Sequence, residues 1–233
     1  NGPIEHPEIG ANLSVKDGRL YIASLNSRFK NINLNVNLQK GTPVFLIKGA
    51  VGTEKGTLQL DGLYNISNLT ASLNVKGNDL LLANSDDIKL MISPDLSFNA
   101  LGKPGGGKYR LTGSVRIPEL FYQHKASEGG GSVVTVSSDT VIIGDGNEHK
   151  RSEDFMNNLY MDVNFILGDR IKVGAEGLTA TLNGGVKVTK AYNQAIRGLG
   201  VINIGKGEFD IYGQVLTLDK GKIQFSGASI TNP

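Results

Sequence analysis

Gly102-Lys-Pro-Gly-Gly-Gly-Lys108 matches the letters of a phosphate-binding loop, Gly-x4-Gly-Lys. Such a loop works when its amides open a helix whose N-terminus faces the anion, and when Ser or Thr after the Lys holds magnesium. Here Tyr109 follows, and the residues beyond it alternate as a strand, so the segment reads as a glycine-rich turn. Asp145, Asn147 and Glu148 offer oxygens for calcium, but no Gly or distal Glu stands at the spacing an EF-hand loop needs, and a solvated loop is expected. His6, His124 and His149 are far apart in sequence, lie in or next to loops and have no partner at metal-ligand spacing. None stands in the Ser and acid context of a triad. The chain has no Cys, which excludes disulfides, thiolate-held metal and thiol chemistry and leaves the redox compartment open. No catalytic residue, metal or cofactor is therefore expected, and the chain is read as not an enzyme.

Composition narrows the classes further. The formal net charge is +2, with Lys and Arg scattered along the chain instead of striped on one element, so no nucleic-acid partner is expected. Apolar residues make up 39%, aromatic residues only 6% with no Trp, and there are 31 Gly, which argues against a core built of large rings. No run approaches the ~20 apolar residues of a membrane-crossing helix, and the residues before the first strand are not expected to act as a leader peptide. The chain starts at Asn1-Gly-Pro without Met and stops while its alternation is still running. The expectation is a piece of a longer protein whose other parts carry any membrane anchor.

What remains is a pattern of period two, which puts alternate residues on one side of a strand. Leu34, Val36 and Leu38 alternate with Asn, a poor strand former whose repeated use marks a face kept in water. The same spacing joins Leu58 to Leu60, Leu73 to Val75, Val115 to Ile117, Val163 to Phe165, Ile171 to Val173 and Val186 to Val188. Near the end it joins Ile202 to Ile204, Phe209 to Ile211, Leu216 to Leu218 and Ile223 to Phe225. Asp17-Gly18, Gly205-Lys-Gly207 and Asp219-Lys-Gly221 supply the residues of tight turns, and turns are expected there. A break is expected at Ser93-Pro-Asp95, and a hairpin of Val133–Val136 with Thr140–Ile143. The charged stretch from Gly144 to Asp154 is too polar to bury.

A repeat underlies this alternation. Counted from Gly200, apolar residues fall two and four positions on, Gly207 at seven, and apolar residues again at nine and eleven. Counting from Ala11 fits at every offset, with Gly18 at the seventh, while counting from Gly113 gives Val115 and Ile117, then Leu120 where the Gly is expected, then Tyr122, a degraded copy. Such repetition signals strand units stacked along one axis. Residues 1–102 and 103–233 are expected to be two segments of one continuous all-β architecture, a meander of short antiparallel strands.

Each aliphatic side chain is worth ~1.5–3 kcal/mol when buried, so a one-sided apolar face does not stay wet. It closes on a second sheet as a sandwich, curls upon itself, or holds an apolar ligand. The length of the strand run and the scarcity of rings favour a curled sheet with a trough, whose aliphatic walls suit acyl chains. The residues named above, from Leu34 to Phe225, are the expected lining of that trough.

Leu111-Thr-Gly-Ser-Val-Arg-Ile-Pro118, Val133-Val-Thr-Val-Ser-Ser-Asp-Thr-Val-Ile-Ile-Gly144, Ile92-Ser-Pro-Asp-Leu96 and the C-terminal Gly-x-Phe-x-x-Tyr-Gly-x-x-Leu-x-Leu-x-x-Gly-x-Ile-x-Phe-x-Gly resemble the TamB C-terminal domain family. That family belongs to the bacterial translocation and assembly module and is related to AsmA-like proteins. The resemblance covers essentially the whole chain and is strongest from Gly113 to Pro233; Leu120 and the glycine-rich 127–132 depart from it. It implies a β-taco, a long sheet folded lengthwise around an apolar groove. It implies a periplasmic bridge, anchored to the inner membrane by a segment outside this chain, that carries phospholipid acyl chains and supports outer-membrane assembly. It also implies docking of the C-terminal end on the periplasmic domains of TamA, an outer-membrane barrel. The alternative is a β-scaffold that serves outer-membrane protein (autotransporter) assembly through its strand edges without carrying lipid.

Overall fold

The computed structural model describes residues 10–103, 106–124, 153–175, 178–211 and 214–231. They form a single curled sheet of thirteen strands. The first half comprises β1 (Ala11–Ile22), β2 (Ser27–Leu38), β3 (Val44–Gly52), β4 (Thr57–Asn65), β5 (Thr70–Asn78), β6 (Leu80–Asn84) and β7 (Ile88–Leu101). The second comprises β8 (Lys108–His124), β9 (Leu159–Ala175), β10 (Leu178–Lys190), β11 (Arg197–Ile211), β12 (Gln214–Leu218) and β13 (Gly221–Ser229). Neighbours in sequence are neighbours in space through most of the sheet, in the order β1-β2-β3-β4-β5-β7-β8-β9-β10-β11-β12. β6 pairs with β7 beside the end of β5, and β13 pairs with β11 beside the end of β12.

Long strands bend where one partner carries an extra residue, because a bulge breaks the ladder and sharpens the twist. Register shifts fall between Val15 and Gly18 of β1, Lys30 and Asn33 of β2, Met91 and Ser93 of β7, and Ile117 and Glu119 of β8. They continue between Thr181 and Gly184 against β9, and between Ala180 and Leu182 against β11. Cross-strand pairing connects these points into one crease. Gly18 faces Ile32, Lys30 faces Gly52, Gly52 faces Thr57, and Thr57 faces Asn78. Ser93, whose hydroxyl accepts from the Asp79 amide, then faces Arg116. β3, β4, β5 and β13 lie on one side of the crease, β6 and β12 on the other.

The crease corrects three sequence expectations. Asp17-Gly18 is no turn: Asp17 takes φ 51° inside β1, and the chain reverses five residues later in a 3-10 turn, Ala23–Leu25. Gly205-Lys-Gly207 lies inside β11, next to its own register shift. The glycine at the seventh position of the repeat thus stands beside a bulge within one long strand, and in β1 the left-handed residue is Asp17 next to it. Pro94 does not split β7 either. Its missing N–H falls where β5 gives way to β6 as the partner, so no ladder bond is lost.

One pairing departs from the antiparallel meander: β8 and β9 run parallel, from Tyr109 beside Leu159 to His124 beside Ala175. Parallel neighbours need a crossover connection, and between β8 and β9 the described residues resume only at 153. The expected hairpin at 133–143 lies outside the described residues, as do His6, His149 and the acidic residues 145–148. Gly102 leaves β7 with φ 96°, and the element that begins at Lys108 is a strand, β8.

Candidate apolar face

Residues opposite one another across a ladder share a face, so the register maps the face directly. One row runs Val15, Leu34, Gly49, Leu60, Val75, Leu96, Gly113, Val163, Val188, Gly198. A parallel row runs Leu13, Val36, Ile47, Gly62, Leu73, Phe98, Leu111, Met161 and Lys190. Leu38 stands in a third with Phe45, Tyr64 and Tyr109. Nearer the crease Leu58 lies opposite Val51 and Gly77, while Val115 leads through Phe165, Val186 and Gly200 to Phe225. Ile117 leads through Leu167 and Gly184 to Ile202 and Ile223, and Ile204 faces Leu182.

Beyond the crease, Ile171 pairs with Leu120, and Val173 leads through Ala180 and Gly207 to Leu218. Leu178, Phe209 and Leu216 form the last row, with Ile211 two residues past Phe209. The alternation of β10 from Ala180 to Lys190 ties the two sides of the crease to the same face. The register thus sets the backbone positions that alternation singled out in facing rows, the side chains of Ile211 and Leu218 lying outside the described ones. Sequence reading missed Phe98, Leu111 and Tyr109, because Pro94 and the glycine-rich turn interrupt the period on either side of them.

Burial along this face is uneven. Val163 (2% exposed), Ile171 (1%), Val186 and Val188 (both 8%) are enclosed, while Leu34, Val36, Leu60 and Ile202 are half-buried. At the two ends of the sheet the face opens: Leu13 is 65% and Leu216 57% exposed. A depression of about 520 Å³ near β1 is bordered by Val15, Leu34 and Leu60 together with Lys48 and Asp61. The opposite face is wet and laddered by polar pairs. Asn35 donates to Asn12 (3.2 Å), Asn203 to Asn183 (3.1 Å), and Lys187 meets Asp162 (3.0 Å).

Two further features border the face. A short helix at 153–157 sets Phe155 against Tyr109, ring centroids 4.8 Å apart, and Tyr109 stacks on Phe98 at 6.2 Å. Lys190 ends the second row, 6% exposed, its Nζ donating to the carbonyls of Leu159 and Ala191, each at 3.3 Å. Across the crease, Glu119 lies 2.6 Å from Lys89 and 3.3 Å from Arg170. The hydrogen bond from Lys89 holds its carboxyl below the usual range, helped by the charges of Lys89, Arg170 and Lys55 and opposed by burial. Among the described residues no group of three His, Asp or Glu side chains converges.

A family model described as the TamB C-terminal domain matches residues 47–233. The Translocation and assembly module subunit TamB of Haemophilus influenzae is 27% identical over 243 residues, which cover 97% of this chain and 18% of that protein. The chain thus spans less than a fifth of the length of this curated relative. No solved structure matches it.

Proposed function

The chain belongs to the TamB C-terminal domain family, and on that premise we propose that it is a segment of a periplasmic bridge. Its apolar face shields phospholipid acyl chains in transit between inner and outer membranes and so supports outer-membrane assembly. The observation that carries this reading is the uninterrupted row from Val15 to Gly198, aliphatic or glycine at every strand it crosses. A hydrocarbon tail asks for apolar area and no hydrogen-bond partner, and this row offers only that. Exposure of Leu13 and Leu216 at the two ends leaves the face continuous with whatever adjoins it.

On the same reading the longer protein is anchored in the inner membrane. Its C-terminal end meets TamA, the outer-membrane barrel, through the latter's periplasmic domains. The free edge of β13 suits strand addition. No residue is assigned a catalytic role.

The second reading is a scaffold that assists outer-membrane protein (autotransporter) assembly without holding lipid. It is favoured by the enclosure of Val163, Ile171, Val186 and Val188 by the protein's own atoms. Photoreactive residues at Ile202, Phe209 and Leu216, with Asn33 and Asn35 of the wet face as controls, separate the two. Capture of phospholipid at the first set alone supports a lipid trough. Silence at all five positions, in protein that mass spectrometry shows to be free of lipid, leaves the scaffold.

A further inference from the structure

The wet face carries a depression of about 520 Å³ where β1 and β2 cross the crease, bordered by Arg19, Tyr21, Arg28, Lys30, Asn31 and Glu54. Tyr21 lies opposite Arg28, and Leu20 opposite Phe29, so the ring and the guanidinium share one side of the ladder. Leu20 and Phe29 point to the other, apolar side. Arg28 is held twice: its guanidinium lies 5.6 Å from the centre of the Tyr21 ring, and its Nη1 donates to Glu54 Oε1 at 2.9 Å. That bond leaves most of the guanidinium fork for another acceptor. Arg19 and Lys30 make no ion pair among the described residues.

Three cations against one carboxylate leave the depression a formal charge of +2. Other depressions of the sheet are closer to balance. One near β1 sets Lys16 and Lys48 against Asp61, and one on β10 and β11 sets Lys172 and Lys206 against Glu208. Like charges crowded on adjacent strands repel each other, and a bound anion would relieve the excess.

We propose that this depression binds a phosphate group. A phosphomonoester carries about −1.5 to −2 charge at neutral pH and three strong acceptor oxygens, which matches the excess charge. Arg forks engage such oxygens in pairs, and Lys30 adds a compact charge on a flexible stem. The Tyr21 ring and Glu54 fix Arg28 before any ligand arrives, so little of its freedom is lost on binding. A monoanionic carboxylate would leave part of the charge unmatched. The group arrives as free phosphate or at the head of a lipid, and the charge match is the same for both. The inference concerns the wet face and stands apart from acyl-chain carriage on the other.

The test is a titration of the isotope-labelled 233-residue chain with inorganic phosphate, read from amide shifts, against acetate at equal ionic strength. Phosphate should shift residues 19–21 and 28–31 saturably, and acetate should bind at least about tenfold more weakly, for want of a charge-assisted hydrogen bond. Arg19→Gln with Lys30→Gln should lower phosphate affinity at least about tenfold. Glu54→Gln removes the opposing charge and should raise it, up to about fivefold. Lys48→Gln with Lys222→Gln, elsewhere on the wet face, should leave it within about twofold, because salt screens distant charges. Arg19, Lys30, Lys48 and Lys222 are exposed, so thermal melts of both double variants should match the parent. Glycerol phosphate and dihexanoyl phosphatidate identify the source: equal affinity assigns the site to phosphate alone, and tighter phosphatidate assigns it to a lipid head. No saturable shift with any of the three phosphates, acetate binding as tightly as phosphate, or equal loss in both double variants means an adventitious ion only and overturns the proposal.

Discussion

Gly113 stands directly between Leu96 of β7 and Val163 of β9, with φ at 131°. A Cβ at Gly113 would run into the carbonyl oxygen of Asp95. The missing side chain lets β8 pass close to the backbone of β7 at Asp95 and Leu96. Gly113→Ala is expected to cost at least about 2 kcal/mol, from left-handed strain plus the clash. At ~2–4 °C per kcal/mol for a chain of this size, the melting temperature should fall by about 4–8 °C. An unchanged melt would show that this backbone position is relaxed.

Ile171 is 1% exposed, whereas Val36 on the same face is half-buried. Ile171→Ala should therefore destabilise by about 2–5 kcal/mol through lost burial and a residual cavity. Val36→Ala should lose about 1 kcal/mol or less, since fewer atoms are removed and part of the side chain already stands in water. Denaturant melts of the two variants test whether the face is tight at β9 and loose at β2. Equal losses would contradict that gradient.

The ion cluster at Glu119 predicts a specific acid dependence. Its carboxyl titrates below the ordinary 4.5 in the folded chain. The stabilisation is thus fully present above about 4.5 and disappears as pH falls through the lowered folded value. The melting temperature of the parent should exceed that of Glu119→Gln at pH 7, and the gap should close as the pH is taken below 4.5. A gap that stays constant down to strongly acid pH would remove Glu119 from the account.

The crease makes its own prediction at Asn31, which takes φ 50° where β2 shifts register against β3. Asn tolerates the left-handed region, Gly occupies it freely, and a branched residue resists it. Asn31→Gly should be neutral or stabilising by up to about 1 kcal/mol. Asn31→Ile should cost about 1–2 kcal/mol or more. Equal stability of the two variants would mean that the strand is straight there.

The apolar face was legible because it rests on period two alone, which holds within each strand whatever the strand pairs with. Leu34, Val75, Phe165 and Ile202 could be assigned to it without knowing a single neighbour. The course of the backbone was less so. Asp17-Gly18 and Gly205-Lys-Gly207 are made of residues typical of tight turns, and only the partner strand decides whether they close a turn or sit at a bulge. Pro94 read as a break because its consequence depends on what lies alongside, and a gap between β5 and β6 cannot be seen locally. The parallel pair of β8 and β9 was hidden for a related reason: a long connection carries no record of the direction from which the next strand returns.

Because the sheet bends at the same point in successive strands, its cross-section and its length are set by different things. Strand length and the position of the extra residue determine the profile, while the number of strands determines only how far that profile is extruded. Gain or loss of whole strand units by such a chain would alter its reach and leave its calibre untouched.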